Sequence, residues 1–295
     1  MRLRDYQEEA INSIFDYFGN EVGSPLVVAP TGSGKSAIIA GFCKRACLEY
    51  PATRILALTH VRELISQNYA QLLRYWPEAR ASIYSAGLGK KNLSGQVVFA
   101  GIQSFARVAD RAGEFDLVLI DEAHLIPRKS GTMYRRTLDA LATSNPAIKM
   151  VGFTATPYRL DSGLLHEGKD AVFDAICYDI PVRMLVERGY LAPLVSKKPQ
   201  QTFDLSGLHT RAGEYIDAEL SARFDRDDIN RAIVSECHAL AADRQAWLFF
   251  CINVEHARHM AEVLRQTGKR AEVVTGDTPA AARTRIIEQY KRGDI

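Results

Sequence analysis

Apolar residues recur at helical spacing near the start of the chain. Tyr6, Ala10, Ile14 and Phe18, with Ile11 and Tyr17 beside them, predict an amphipathic helix that covers a sheet face and is capped by Gly19. Residues 26–29 are a short continuous apolar run. A helical pattern then fills 35–50 and stops before Pro51. Further on, β-rich runs at 54–59, 81–85, 96–102, 116–120 and 149–154 are interleaved with helical patterns at 61–76 and 133–143. Strands that are apolar at successive positions, rather than at every second one, predict burial on both faces. Their alternation with helices predicts βαβ units and a parallel sheet covered by helices on both sides.

The pattern weakens after the segment holding Gly163, Gly168 and the Ile180-Pro181 step, and a second unit is expected to begin near there, dividing the chain into 1–178 and 179–295. Its expected elements are a helix at 181–188 and a strand at 190–196, then an aperiodic insertion at 199–223. Asp225 reads as the N-cap of a helix with Ile229, Ile233, Cys237 and Leu240 on one face. A buried strand at 247–251, a helix at 254–266, a strand at 271–275 and a helix opened by Thr278-Pro279 repeat the βαβα order. The second sheet is incomplete at Ile295 on this reading.

Composition narrows the picture only modestly. A hydrophobic share of 47% and a charged share of 24% over 295 residues describe an ordinary globular protein of about two domains. The net charge of +2 excludes a polycation, so a nucleic-acid partner would have to be held by local features. Five cysteines without a Cys-x-x-Cys give no metal framework, and His256 and His259, three apart on a helix, lack a third ligand nearby in sequence. No leader-like apolar segment and no run of membrane length is read. No membrane partner is therefore expected, and the cytoplasm is the default compartment.

Two stretches carry chemistry. The first is the turn from Pro30 through Thr31, Gly32, Ser33 and Gly34 to Lys35 and Ser36, between a buried strand and a helix. Backbone N–H groups there can cradle phosphates, Lys35 supplies a mobile charge, and the Ser36 hydroxyl can ligate Mg²⁺. Ala29 stands where the strict pattern wants glycine. The second is Asp121-Glu122-Ala123-His124 at the end of an apolar strand. Asp121 can hold Mg²⁺ opposite Ser36, and Glu122 can orient the water that attacks a γ-phosphate, so Lys35, Asp121 and Glu122 form the candidate catalytic set.

Together these stretches resemble motifs I and II of a superfamily 2 DEAD/DEAH-box helicase, nearest to the type III restriction motor subunits and RadD-type DNA-repair proteins. The resemblance implies tandem RecA-like domains and ATP–Mg²⁺ as the cofactor. It casts Arg4 and Gln7, in Leu3-Arg4-Asp5-Tyr6-Gln7, as adenine-recognising residues. Thr59, His60 and Arg62 resemble motif Ia, and Gln103 and Ser104 resemble the next strand-contacting motif. Thr154 and Thr156 of Thr154-Ala155-Thr156-Pro157 resemble motif III and, with His124, imply coupling between the nucleotide and nucleic-acid sites. Asn253 closes a likeness to motif IV, and Thr275-Gly276 resembles the segment after it. Motifs V and VI have no counterpart within these residues. The chain is therefore read as part of a longer protein, with poor ATP turnover by itself.

The function expected is an ATP-dependent motor on nucleic acid, a helicase, with DNA favoured over RNA. Three alternatives stay open: a duplex DNA translocase without strand separation, a P-loop small-molecule kinase, and a non-motor nucleic-acid-binding module. Without the resemblance, Thr59, His60, Arg62, Gln103 and Ser104 read as helix caps and surface residues in preference to phosphate contacts. Lys90-Lys91 and Lys197-Lys198 read as solvated turns.

Overall fold

Each central strand of the first half sends alternate side chains into two separate cores, which is why its sequence is apolar throughout. Leu117 and Leu119 join one core with Val27, Ile55, Val97 and Phe153, whereas Val118 and Ile120 join the other with Leu26, Leu56, Val98 and Phe173. The computed structural model describes residues 2–159, 163–197, 203–211 and 214–295. It divides into two compact units, Met1–Pro193 and Leu194–Ile295.

The first unit runs α1 (Asp5–Asn20), β1 (Pro25–Val28), α2 (Lys35–Glu49), β2 (Ile55–Thr59), α3 (Arg62–Tyr75), β3 (Ala81–Ser85), β4 (Lys90–Lys91), β5 (Val97–Gly101), α4 (Ile102–Phe105), β6 (Leu117–Asp121), α5 (Met133–Ser144), β7 (Lys149–Thr154), β8 (Tyr158–Arg159), β9 (Gly163–Leu164), β10 (Ala175–Asp179) and α6 (Val182–Glu187). Eight strands form one sheet in the order β10-β1-β7-β6-β2-β5-β3-β4, parallel except for the final β3–β4 pair. Helices α1, α2 and α3 cover one face, and α4 and α5 the other. Parallel pairing brings the C-terminal ends of β1, β2, β5, β6 and β7 to a single edge, where the chemistry-bearing stretches lie.

Packing at the centre is tight. A Cβ on Gly152, in β7, would stand 2.4 Å from the ring of Phe173 and 2.7 Å from Leu26 Cδ1. Overpacking of this kind costs about 1–3 kcal/mol. Gly152→Ala should lower the thermal midpoint of the first unit by several degrees, and an unchanged melting curve would contradict the packing described.

Several expected boundaries move. Helix α1 passes through Gly19 and ends at Asn20, with Glu21 N–H bonded to the Tyr17 carbonyl at 2.7 Å. Residues 175–179, which straddle the expected boundary at 178, form an edge strand paired parallel to β1. Ile180 and Leu185 are buried in the same core, so the first unit reaches Pro193 rather than residue 178. The strand expected at 190–196 is absent. Tyr190 and Leu191 both direct their N–H groups to the Leu185 carbonyl, at 2.7 and 3.0 Å, closing a turn after α6.

In the second unit the described part of the expected insertion holds a short antiparallel pair, β11 (Thr210–Arg211) with β12 (Glu214–Tyr215), and α7 (Asp217–Phe224). Residues 199–202 and 212–213 of that insertion, and Lys198, lie outside the described residues. Helices α8 (Asp227–Leu240), α9 (Val254–Gln266) and α10 (Ala280–Arg292) follow. Arg226, not Asp225, is the N-cap of α8. The Asp225 carboxylate accepts instead from Asn230 Nδ2 at 3.0 Å and lies 3.1 Å from His259 Nδ1. The strands expected at 247–251 and 271–275 are not paired into a sheet among the described residues. Burial there alternates instead of being continuous: Trp247, Phe249 and Cys251 pack on a small core with Met260 and Leu264, while Leu248 and Phe250 are exposed. No described helix is long and apolar enough to cross a membrane.

His256 is buried, and its neighbours fix its tautomer. Nδ1 accepts from Ile252 N–H at 3.2 Å, so Nε2 carries the proton and donates to Asn230 Oδ1 at 3.2 Å. Burial pushes the His256 pKa below the ordinary histidine value, against the nearby Asp225 charge, which raises it. Below pH about 6.5 the unfolded chain takes up a proton at this residue that the folded chain refuses. Its contribution is therefore full above that pH and lost on acidification. The urea midpoint of the second unit should fall between pH 7.5 and 5.5, and less so in His256→Gln. Equal pH dependence in both proteins would contradict the assignment.

Candidate active site

β1 leads directly into the glycine turn. Gly32 and Gly34 take φ of 83° and 82°, a region that a Cβ disfavours. With no side chain at either position, the backbone bends into the start of α2, whose first amides have no acceptor within the helix. The turn is pinned from below at Ser33, whose carbonyl accepts from Tyr6 Oη at 2.7 Å and Gln7 Nε2 at 2.9 Å. Gln7 also accepts the Arg4 N–H at 3.0 Å and is buried, so its amide braces both the helix start and the turn. The Ser33 hydroxyl is buried without a partner.

Alternation along β6 places the acidic pair. Leu117 and Leu119 face α1–α3, so Asp121 falls on the same side, toward α2. Asp121 is buried, and accepts from Asn68 Nδ2 at 2.9 Å and from Glu122 N–H at 3.0 Å. Glu122 adopts φ 55°, ψ 50°, alone among described non-glycine residues in having a positive φ. That conformation costs an L-residue about 1–2 kcal/mol, and it accompanies the return of the carboxylate toward α2. Lys35 Nζ lies 2.9 Å from Asp121 Oδ1 and is also hydrogen-bonded to Glu122 Oε1. The sequence-predicted catalytic set is thus brought together around one ammonium group.

A polar chain continues from this cluster. Glu122 Oε2 lies 3.5 Å from His124 Nδ1, which lies 2.9 Å from Thr154 Oγ1. Thr154 Oγ1 accepts the Thr156 N–H at 3.1 Å, and Arg159 Nε donates to the His124 carbonyl at 2.6 Å. Burial lowers the pKa of His124, Glu122 opposing it, and burial likewise lowers that of His60. The cleft beside the cluster is about 560 Å³ and is lined by Arg4, Gln7, Thr31, Lys35, Ser36 and Glu122, among others. Ser36 Oγ has Gln67 Nε2 at 3.5 Å.

The nucleic-acid candidates are less uniform. Thr59 is buried and accepts the Val61 N–H at 3.4 Å. His60 packs its ring 4.8 Å from that of Tyr134. Arg62 and Gln103 are exposed at the ligand edge. Ser104 Oγ accepts the Ala86 N–H at 2.9 Å. In the second unit, Asn253 caps α9 by accepting the His256 N–H at 2.8 Å, Thr275 donates its N–H to Thr278 Oγ1 at 2.8 Å, and Gly276 is exposed. Sequence reasoning missed Asn68. The signal was present, since Ile65, Asn68 and Leu72 share the inward face of α3, and a polar residue there needs a buried partner.

A RecA-like sheet with the lysine turn and the acidic strand end on one edge defines a P-loop nucleotide-binding domain, and the family match places it among superfamily 2 proteins of the restriction-motor type. The family model described as type III restriction enzyme, res subunit, matches residues 1–159, and the chain belongs to that family. It is 25% identical over 303 residues to a Saccharomyces cerevisiae protein named as a candidate ATP-dependent helicase, IRC3, covering 99% of this chain and 43% of the relative. It is also 25% identical over 309 residues to a Schizosaccharomyces pombe candidate mitochondrial ATP-dependent helicase, irc3, covering 99% of this chain and 48% of the relative. The chain thus spans less than half the length of these two curated relatives. Among solved structures, a fragment of a candidate HsdR subunit of a type I restriction enzyme from Vibrio vulnificus shares the fold, with a TM-score of 0.59 and 21% identity over 90% of this chain and 45% of that one.

Proposed function

We propose that this chain is the ATP-driven part of a DNA motor, a helicase that couples hydrolysis to movement along a strand and separation of the duplex. The observation that carries the reading is the bridge from Lys35 to Asp121 and Glu122, continued through His124 to Thr154. In this reading the amides of the turn at 30–36 receive the triphosphate. Lys35 spends two of its three donors on the carboxylates and turns the third into the cleft. Asp121 and Ser36 offer a carboxylate and a hydroxyl oxygen, hard donors that suit Mg²⁺ and leave room for water and phosphate oxygens. When bound, Mg²⁺ would offset negative charge on the β- and γ-phosphates.

Glu122 orients the attacking water and accepts its proton. The His124–Thr154 contact carries nucleotide state to Thr156 and from there to the nucleic-acid groove. Arg62, Gln103, Ser104 and the amides around Thr59 and His60 hold the sugar-phosphate backbone, and Asn253, Thr275 and Gly276 are the nucleic-acid-contacting residues of the second unit taken by itself. Such binding should weaken with salt by roughly one unit of log–log slope per neutralised phosphate. DNA is preferred to RNA because the family is one of restriction enzymes. Turnover by residues 1–295 alone is expected to be slow.

The test is ATP hydrolysis by the whole protein with and without single-stranded DNA. Stimulation by DNA is expected, and a rate indifferent to DNA would favour a small-molecule kinase and overturn the reading. Membership of a restriction-motor family also favours a second reading, translocation along duplex DNA without strand separation. A forked-duplex unwinding assay beside a triplex-displacement assay separates the two, since the second reading expects displacement only.

A further inference from the structure

We propose that Tyr190 is a positioning residue that holds the Arg4 guanidinium flat as a wall for the purine base of the nucleotide. The inference rests on the nucleotide reading above and deepens it at the base end of the cleft. Arg4 precedes α1, and its side chain is exposed and lines the cleft. An exposed arginine keeps most of its rotamer entropy unless something fixes its plane. Here two groups fix it. The guanidinium carbon stands 4.0 Å over the Tyr190 ring, and Nη1 donates to Tyr6 Oη at 3.1 Å.

That Tyr6 hydroxyl donates in turn to the Ser33 carbonyl of the phosphate turn, and the two tyrosine rings lie 5.5 Å apart, tilted by 52°. One face of the guanidinium is therefore covered by Tyr190. The opposite face is the one left for a planar, electron-rich ligand. A two-ring purine covers more of that plane than a pyrimidine does, so the arrangement favours ATP over UTP.

The turn that carries Tyr190 is built to stay in place. Gly189 has a φ of 70°, and the Tyr190 and Leu191 amides share the carbonyl of the buried Leu185. Arg188 pairs with Asp5 at the start of α1. The neighbouring Leu191 touches the phosphate end: its Cδ2 lies 2.6 Å from where a Cβ on Gly32 would be. One turn thus bears on both the base wall and the cradle, through different residues, and substitutions at Tyr190 can separate the two.

The experiment is titration of the chain with Mg²⁺ and ATP, UTP or tripolyphosphate, the last engaging only the phosphate end. Tyr190→Ala should weaken ATP about three- to tenfold, because binding would then have to order the Arg4 side chain itself. It should weaken UTP less and leave tripolyphosphate unchanged, while Tyr190→Phe should match the wild type throughout. In an Arg4→Ala background, adding Tyr190→Ala should produce no further loss. Equal weakening of ATP and tripolyphosphate, failure of phenylalanine to rescue, or unchanged ATP affinity in Tyr190→Ala would each overturn the inference. A wild-type chain that binds ATP no better than tripolyphosphate would overturn it too. One that binds none of the three would instead overturn the nucleotide reading on which it rests.

Discussion

Lys35→Ala is expected to lower ATP turnover by the whole protein by roughly 10²–10³-fold, the scale on which a single preorganised electrostatic donor acts. ATP affinity should fall with it. The reason lies in the geometry: Lys35 is the one described cation within salt-bridge distance of both Asp121 and Glu122. Its loss removes a donor to the phosphates and also leaves a buried carboxylate without its counter-charge. The variant should therefore unfold at lower urea as well. Lys35→Arg separates the two effects, because it keeps the charge but replaces a compact ammonium with a planar fork. Stability should return with arginine, and turnover should not. ATP affinity unaltered in Lys35→Ala would remove Lys35 from the site.

Glu122→Gln should slow hydrolysis by about 10²–10⁴-fold, as loss of a positioned general base does, while ATP stays bound. Glutamine keeps the shape and the left-handed backbone of Glu122, so the substitution isolates proton acceptance from folding. The Lys35 ion pair becomes an ammonium-to-amide hydrogen bond, and Asp121 still pairs with Lys35 at 2.9 Å. Single-turnover hydrolysis alongside a count of retained nucleotide checks this. A rate near wild type would mean that another group orients the water.

The strands that hold the site were readable because burial on both faces leaves an uninterrupted apolar run, as at Leu117–Asp121. The turn at 30–36 and the acidic strand end were readable for a different reason: each needs particular residue types at adjacent positions. β10 was not readable. Ala175–Asp179 is a half-buried edge strand with cysteine and aspartate in a five-residue run, and nothing in its pattern separates it from a loop. Tyr190 and Leu191 looked like the start of a strand, because a shared carbonyl acceptor leaves no periodic trace. Thr59 resembled a surface contact in sequence, yet the side chain is buried at the end of β2, so any phosphate contact there falls to backbone amides. In the second unit the apolar run at 247–251 reads as a buried strand, yet Leu248 and Phe250 are exposed, because an all-apolar run does not say which face is covered or specify a ladder partner.

Strand order has a consequence for reach. β1 and β6 flank β7, so the lysine turn and the acidic pair sit two ladder spacings apart, roughly 9.6 Å between strand axes. That interval is set by backbone hydrogen bonding rather than by loop length. A lysine stem can cross most of it, whereas a side chain shortened by a methylene or two falls short. The turn hangs directly from that ruler, because Ala29, the residue after β1, is buried and gives its N–H to the Thr154 carbonyl of β7 at 2.7 Å.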